Sequence, residues 1–204
     1  MCYNGFMLIT IQNMLGAPVM SLQTGQPLAR LDAAIVDPRS LKIVAFYVSG
    51  PMVDFSPAVV FAEDIREFGE LGAIVDSSDN ILSPDGMVRL GEVMDFRFEL
   101  SGLWVIDEHR HKLGRVDNYT LDPETFMIQQ LYLKPTMMKS LSIAHLTVAR
   151  SQIIAIDNQK ITVKSPTVQE KVVQKVVANA PAAPGDFENP FRKPKPAAKH
   201  AEQE

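Results

Sequence analysis

The chain has 204 residues, 46% apolar and 22% charged, with a formal charge of −4, the make-up of a folded globular protein of one or two domains and not of a disordered chain. No apolar run reaches the roughly 18 residues of a spanning helix, and residues 6–11 are too short and lack the positive flank of a signal peptide, so a cytoplasmic location is expected. A single cysteine, Cys2, forbids an internal disulfide and a Cys-based metal cluster, and the acidic balance argues against direct DNA binding.

Residues 1–94 carry 11 acids and five bases, residues 95–165 eight and nine, and residues 166–204 five and six. This asymmetry is large enough to steer association, yet neither half has the positive field that phosphate backbones reward. The first strand of a fold need begin only near Leu8, so Met1 and Met7 serve equally well as the start.

An internal repeat organises the chain. Residues 26–48 align with 111–133 without a gap, at a shift of 85, and seven of the 23 positions are identical. The matches are Leu28 with Leu113, Arg30 with Arg115, Asp32 with Asp117, Asp37 with Asp122, Pro38 with Pro123, Ile43 with Ile128 and Tyr47 with Tyr132. Gly16 and Val19 fall on Gly102 and Val105 upstream, and Val60 and Ile65 on Val148 and Ile153 downstream.

Each copy reads as a run of short strands. Residues 27–36 and 112–121 are extended stretches that end at Asp-Pro, where the Asp side chain caps its own turn and Pro presets the next dihedral. A strand returns over 43–48, with Val44, Phe46 and Val48 on one face and Ile43, Ala45 and Tyr47 on the other. The copy sets Gln129, Leu131 and Leu133 against Ile128, Gln130 and Tyr132. Largely apolar faces on both sides suit a small closed or nearly closed sheet whose outer face is covered. Short strands over 58–61 and 146–149, polar corners at Glu63-Asp64 and Ser151-Gln152, and strand material over 71–75 and 160–164 complete the copies.

Between them Ser83 can cap a helix opening at Pro84, with Met87, Leu90, Gly91 and Met94 as a stripe that should pack in the cleft between the copies. After them Thr167 and Glu170 have capping-box spacing ahead of a valine-rich helical pattern, and the proline-rich stretch from Ala180 onward denies regular structure. The expected organisation is all-β: a first repeat over 8–82, a linker helix over 83–97, a second repeat over 98–165, a weak helix over 166–179 and a disordered tail over 180–204, with the repeats forming one rigid body.

The runs Gly102-Leu103-Trp104-Val105-Ile106-Asp107, Lys112-Leu113-Gly114-Arg115-Val116-Asp117, Leu121-Asp122-Pro123 and Gln130-Leu131-Tyr132-Leu133 resemble the PRC-barrel pattern. The first copy resembles it through Gly16, Val19, Leu28, Leu31, Asp32 and Asp37, but has Ala29 where Gly114 stands, which weakens the expectation of a tight backbone approach there. The resemblance implies two tandem small PRC-type β-barrels acting as binding modules, as in a ribosome-maturation factor that engages a small-subunit ribosomal protein and in the H subunit of photosynthetic reaction centres. A stand-alone tandem member, of the kind found in bacteria and archaea, is the description that fits.

No phosphate loop, nucleophile elbow or His-Glu-x-x-His helix is present, so no catalytic residue and no cofactor are expected. Arg30 with Asp32 and Arg115 with Asp117 read as structural strand pairs in an ion-pair network. His109 and His111 share a face and could meet a metal with Glu108 or Asp107, but a third dedicated ligand is missing from the pattern, so no metal is expected. Surfaces are the better prospects. Lys134, Met137, Met138 and Lys139 form a cationic, adaptable loop patch, Met52 and Phe55 its acidic counterpart, and Phe187, Pro190 and Phe191 a tail docking motif. The expected function is a non-enzymatic adaptor for protein partners, with self-association and peripheral membrane contact compatible with it. The alternative is a ribosome- or RNA-linked assembly factor that engages a ribosomal protein.

Overall fold

The computed structural model describes residues 2–3, 6–134 and 146–164. A ribbon of β1 (Cys2–Tyr3) and β2 (Phe6–Met7) leads into β3 (Ile9–Thr10) and a single-turn helix, α1 (Ile11–Met14). The first repeat supplies β4 (Pro18–Ser21), β5 (Pro27–Asp37), β6 (Lys42–Ser49), β7 (Ala58–Phe61), β8 (Glu67–Gly69), β9 (Gly72–Val75) and β10 (Ile81–Leu82). Helix α2 (Val88–Asp95) leads to β11 (Trp104–Asp107), β12 (Lys112–Leu121), β13 (Ile128–Lys134), β14 (Leu146–Ala149), β15 (Ile153–Ile156) and β16 (Lys160–Val163).

The all-β expectation holds. Two sheets run β10-β7-β6-β5-β4-β9-β8 and β14-β13-β12-β11-β16-β15, and β3 pairs with β12. With β10 set aside, the orders match: an antiparallel meander of long strands, then a parallel pair, β4 with β9 in one and β11 with β16 in the other. The repeat is therefore a repeat of topology as well as of sequence.

Both Asp-Pro turns form by the expected mechanism. Asp37 accepts the Arg39 amide at 3.0 Å and the Ser40 hydroxyl at 2.8 Å; Asp122 accepts the Glu124 amide at 2.9 Å and the Thr125 hydroxyl at 2.8 Å. Each turn ends on a left-handed residue, Leu41 (φ 49°) and Phe126 (φ 57°). A side chain in that region costs about 1–2 kcal/mol, and burial of both residues offsets it. The turns then clasp each other. The Ile43 amide donates to the Phe126 carbonyl at 3.0 Å and the Ile128 amide to the Leu41 carbonyl at 2.9 Å, so the partners in one bond lie 85 residues from those in the other. The Phe46 and Phe126 rings meet edge to face at 6.1 Å, and one apolar core runs from Ile11 to Val163 through both sheets. The repeats thus share a core.

Strict alternation along β6 and β13 fails, for one reason in both. The register slips between Ile35 and Val36 against Ala45 and Ile43, and between Thr120 and Leu121 against Gln130 and Ile128. Each slip is a β-bulge, which inserts an extra residue and flips the facing of what lies beyond it. Ile43, not Val44, therefore joins Phe46 and Val48 in the core, and Ile128, not Gln129, joins Leu131 and Leu133.

The linker helix also differs from expectation. Ser83 accepts the Asp85 amide at 3.3 Å and donates to its carboxylate at 3.0 Å, which closes a local turn instead of capping a helix. Helix α2 opens only at Val88 and lies on the outer face of the first sheet, where Leu90 is buried with Ile35, Ala45 and Val59. The cleft between the repeats is not its site. Burying Leu90 contributes about 1.5–3 kcal/mol, and an apolar sheet face draws the helix there; the positions equivalent to Ile35, Ala45 and Val59 in the second sheet are Thr120, Gln130 and Thr147. The expected helix over 166–179 and the tail over 180–204 lie outside the described residues.

Candidate functional site: a cationic row on the second sheet

Four strands of the second sheet bring one residue each into line. Arg115 on β12 is opposite Lys134 on β13 and opposite Trp104 on β11, and Trp104 is in register with Lys160 on β16. Partners in register share a face, and strands lie about 4.8 Å apart, so the row spans about 14 Å. The next residues along each strand, Val105, Val116, Leu133 and Ile161, are all buried in the core, which fixes the row on the outside.

Trp104 anchors the row. The Arg115 guanidinium lies 4.2 Å from its ring centroid and the Lys112 ammonium 4.6 Å. Contacts of this kind at an exposed site contribute about 0.5–1 kcal/mol each. Arg115 also donates to the carbonyl of Gly102 at 3.1 Å, and Gly102 holds the left-handed backbone (φ 82°) that presents it. Arg30 does the same for Gly16 (φ 83°) at 3.3 Å. The recurring arginine is thus a clamp on the strand before it. Its expected ion pair with Asp32 or Asp117 is not formed among the described residues: both aspartates occupy a bulge, the extra residue between Leu31 and Ala33 and between Val116 and Asn118.

A tight approach sets Lys134 against its neighbour. A Cβ on Gly114 would come within 2.6 Å of the Lys134 carbonyl. In the first repeat, where Ala29 replaces this glycine, the approach persists because a glycine follows the opposite strand at once: a Cβ on Gly50 would lie 2.9 Å from the Ala29 Cα.

The row is poorly neutralised. Among the described residues, Lys160 has an ion-pair partner, Asp157 at 3.9 Å, whereas Lys112, Arg115 and Lys134 have none. Like charges placed opposite one another, as Arg115 and Lys134 are, work against the sheet that carries them. The first repeat has Ser49, Arg30, Pro18 and Gly72 at the equivalent positions, one cation where the second repeat has three, so the concentrated charge belongs to the second repeat. Met52 and Phe55 are exposed, 66% and 43%, on the loop that follows Ser49. Met137, Met138, Lys139, Phe187, Pro190 and Phe191 lie outside the described residues. Lys112, Trp104 and Lys160 were missed by sequence reasoning; the chain's lone Trp, one strand before Lys112 and Arg115, was the signal, and it needed the register to be read.

A second cluster closes the turn between β11 and β12. Asp107, with its side chain only 8% exposed, accepts the His109 and His111 amides on Oδ1 at 2.9 and 2.8 Å. Its Oδ2 lies 2.9 Å from His111 Nδ1 and 3.9 Å from His109 Nδ1. Burial alone would raise this carboxyl; the amide and imidazole of His111, with the His109 amide, outweigh it and hold the carboxyl below its ordinary range.

No family model matches the chain, and no curated protein matches it either. Among the described residues no helix is long and apolar enough to cross a membrane.

Proposed function

We propose that the chain is a non-enzymatic adaptor of the PRC-barrel kind, acting in the cytoplasm, whose second repeat receives an acidic surface of a partner protein along Lys134, Arg115, Trp104 and Lys160. The observation that carries this reading is the row itself, four cations counting Lys112 with one carboxylate between them. Carboxylates of a partner relieve the repulsion between Arg115 and Lys134, which makes association favourable and salt-sensitive. Trp104 is the one aromatic side chain of the row and already holds Arg115 and Lys112, whereas single-stranded nucleic acid is bound on successive stacking aromatics, and this favours a protein.

The test uses the untagged full chain and the double variant Lys134→Glu with Lys160→Glu, which leaves the Arg115 clamp intact. Each is immobilised in native lysate, with and without ribonuclease, and bound proteins are identified by mass spectrometry. Acidic proteins retained by the parent in both conditions and released by the variant support the reading. Ribosomal proteins retained only without ribonuclease would move the conclusion to the RNA-linked assembly factor. Equal retention by parent and variant sinks the row as a binding surface.

A further inference from the structure

Three side chains with metal-ligating atoms converge on the turn between β11 and β12, none of them used by the cationic row. One donor atom each from Asp107, His109 and His111 lies within 4.8 Å of the others. We propose that these three residues bind a divalent transition-metal ion of the zinc class.

The turn is built to converge them. Arg110 takes a left-handed backbone (φ 67°), so the two histidines that flank it emerge on one side, their rings 6.0 Å apart and within 26° of parallel. Both Nδ1 atoms are turned toward one oxygen of Asp107, at 2.9 and 3.9 Å. The other oxygen is committed to two backbone amides, so the carboxylate cannot rotate away. In a tetrahedral zinc site, with bonds of about 2.0–2.2 Å, neighbouring donors sit about 3.3 Å apart. The Asp107–His111 pair needs to open by a few tenths of an ångström, His109 to close on Asp107 by about half an ångström, and the two imidazole nitrogens to draw together from within 4.8 Å. The cation takes the place of the proton between His111 Nδ1 and Asp107 Oδ2. Two imidazoles and one carboxylate suit zinc, nickel, copper or cobalt better than calcium or magnesium, which prefer all-oxygen shells.

The first repeat provides an internal control. Ser21 occupies the position of Asp107 and holds its own turn, accepting the Thr24 amide on Oγ at 3.2 Å, with the Gln26 carbonyl taking its amide at 2.9 Å. A serine thus suffices to close this turn. A buried carboxylate facing two histidines is more than closure requires, and three protein donors leave a fourth position on the metal for water or for a side chain of another molecule.

Zinc is titrated calorimetrically into the untagged full chain, and cobalt is added separately to read the visible absorption of a nitrogen- and oxygen-ligated ion. One zinc per chain and a cobalt band are expected. Asp107→Ser, which copies the first repeat, and His111→Ala should each weaken zinc binding at least tenfold, a ligand lost outright costing no less than the about 10–100-fold of a lost supporting group. Far-UV circular dichroism confirms that Asp107→Ser folds. A triple variant, Cys2→Ser with His145→Ala and His200→Ala, removes the remaining thiol and imidazoles of the chain and should bind as the parent does. Parent-like affinity in Asp107→Ser and His111→Ala, loss of binding in the triple variant, or the absence of one-to-one binding in the parent overturns the proposal.

Discussion

Arg150, just beyond β14, reaches out of the second repeat into the first. Its guanidinium donates to the Ser40 carbonyl at 2.6 Å, to the Leu41 carbonyl at 3.3 Å and to the Ile128 carbonyl at 3.4 Å. Replacing it with Met keeps the stem and removes every donor. A hydrogen bond from a charged donor contributes about 1.5–3 kcal/mol. Two of the three bonds here are long, and the Leu41 carbonyl keeps the Ile128 amide, so the loss should be about 2 kcal/mol, nearer one good bond than three. For a chain of this size that is a fall in Tm of about 4–8 °C. Urea denaturation followed by tryptophan fluorescence, with Trp104 reporting the second sheet, measures the change. Arg150→Lys should recover part of it, since one ammonium can still reach the Ser40 carbonyl. A loss below about 0.5 kcal/mol, the scatter expected of surface changes, would refute the idea that this side chain ties the Asp37 turn to the second repeat.

Three further outcomes are expected. Gly114→Ala should destabilise by about 1–3 kcal/mol, because its Cβ meets the backbone of Lys134 and no rotamer can yield; an unchanged thermal midpoint would contradict the close approach. Leu90→Ala should cost about 2 kcal/mol or more and raise amide exchange in α2 and β6 while leaving β12 and β13 protected, since the helix covers the first sheet alone. Asp107 has a lowered folded pKa, so its contribution is complete above the unfolded value of about 3.9 and is lost as pH falls through the lower folded one. The stability difference between the parent and Asp107→Ser, measured by urea at successive pH values, should therefore be constant near neutrality and shrink on the acid side of about pH 4.

Local chemistry was legible where one residue decides its own neighbourhood. Asp37 and Asp122 announce their turns because the side chain bonds within three residues of itself. The register of the two copies announced the shared topology. What the sequence hid depends on pairing between strands. A period-2 reading places Val44 inward, and only the bulge opposite Ile35 and Val36 turns Ile43 in instead. Arg30 and Asp32 look like a pair on one strand, yet the arginine turns to a glycine carbonyl 14 residues earlier and the aspartate falls in a bulge. Lys134, Arg115, Trp104 and Lys160 are far apart in the chain and become one row only through three ladders. Beside His109 and His111 the sequence offered Asp107 and Glu108 as equals, and burial of Asp107 at the strand end is what singles it out over Glu108.

The clasp between the Asp-Pro turns is reciprocal. Leu41 gives a carbonyl to Ile128 and Phe126 gives one to Ile43, each half offering the other what it takes in return. A contact with that reciprocity does not need a covalent link to specify it. Severed within the connector before α2, the two fragments should find each other in solution and reassemble, with β3 of the first still closing on β12 of the second. In its geometry the molecule is a homodimer written on one chain, and the sequence differences between its halves are free to specialise one face while the other half supplies the scaffold.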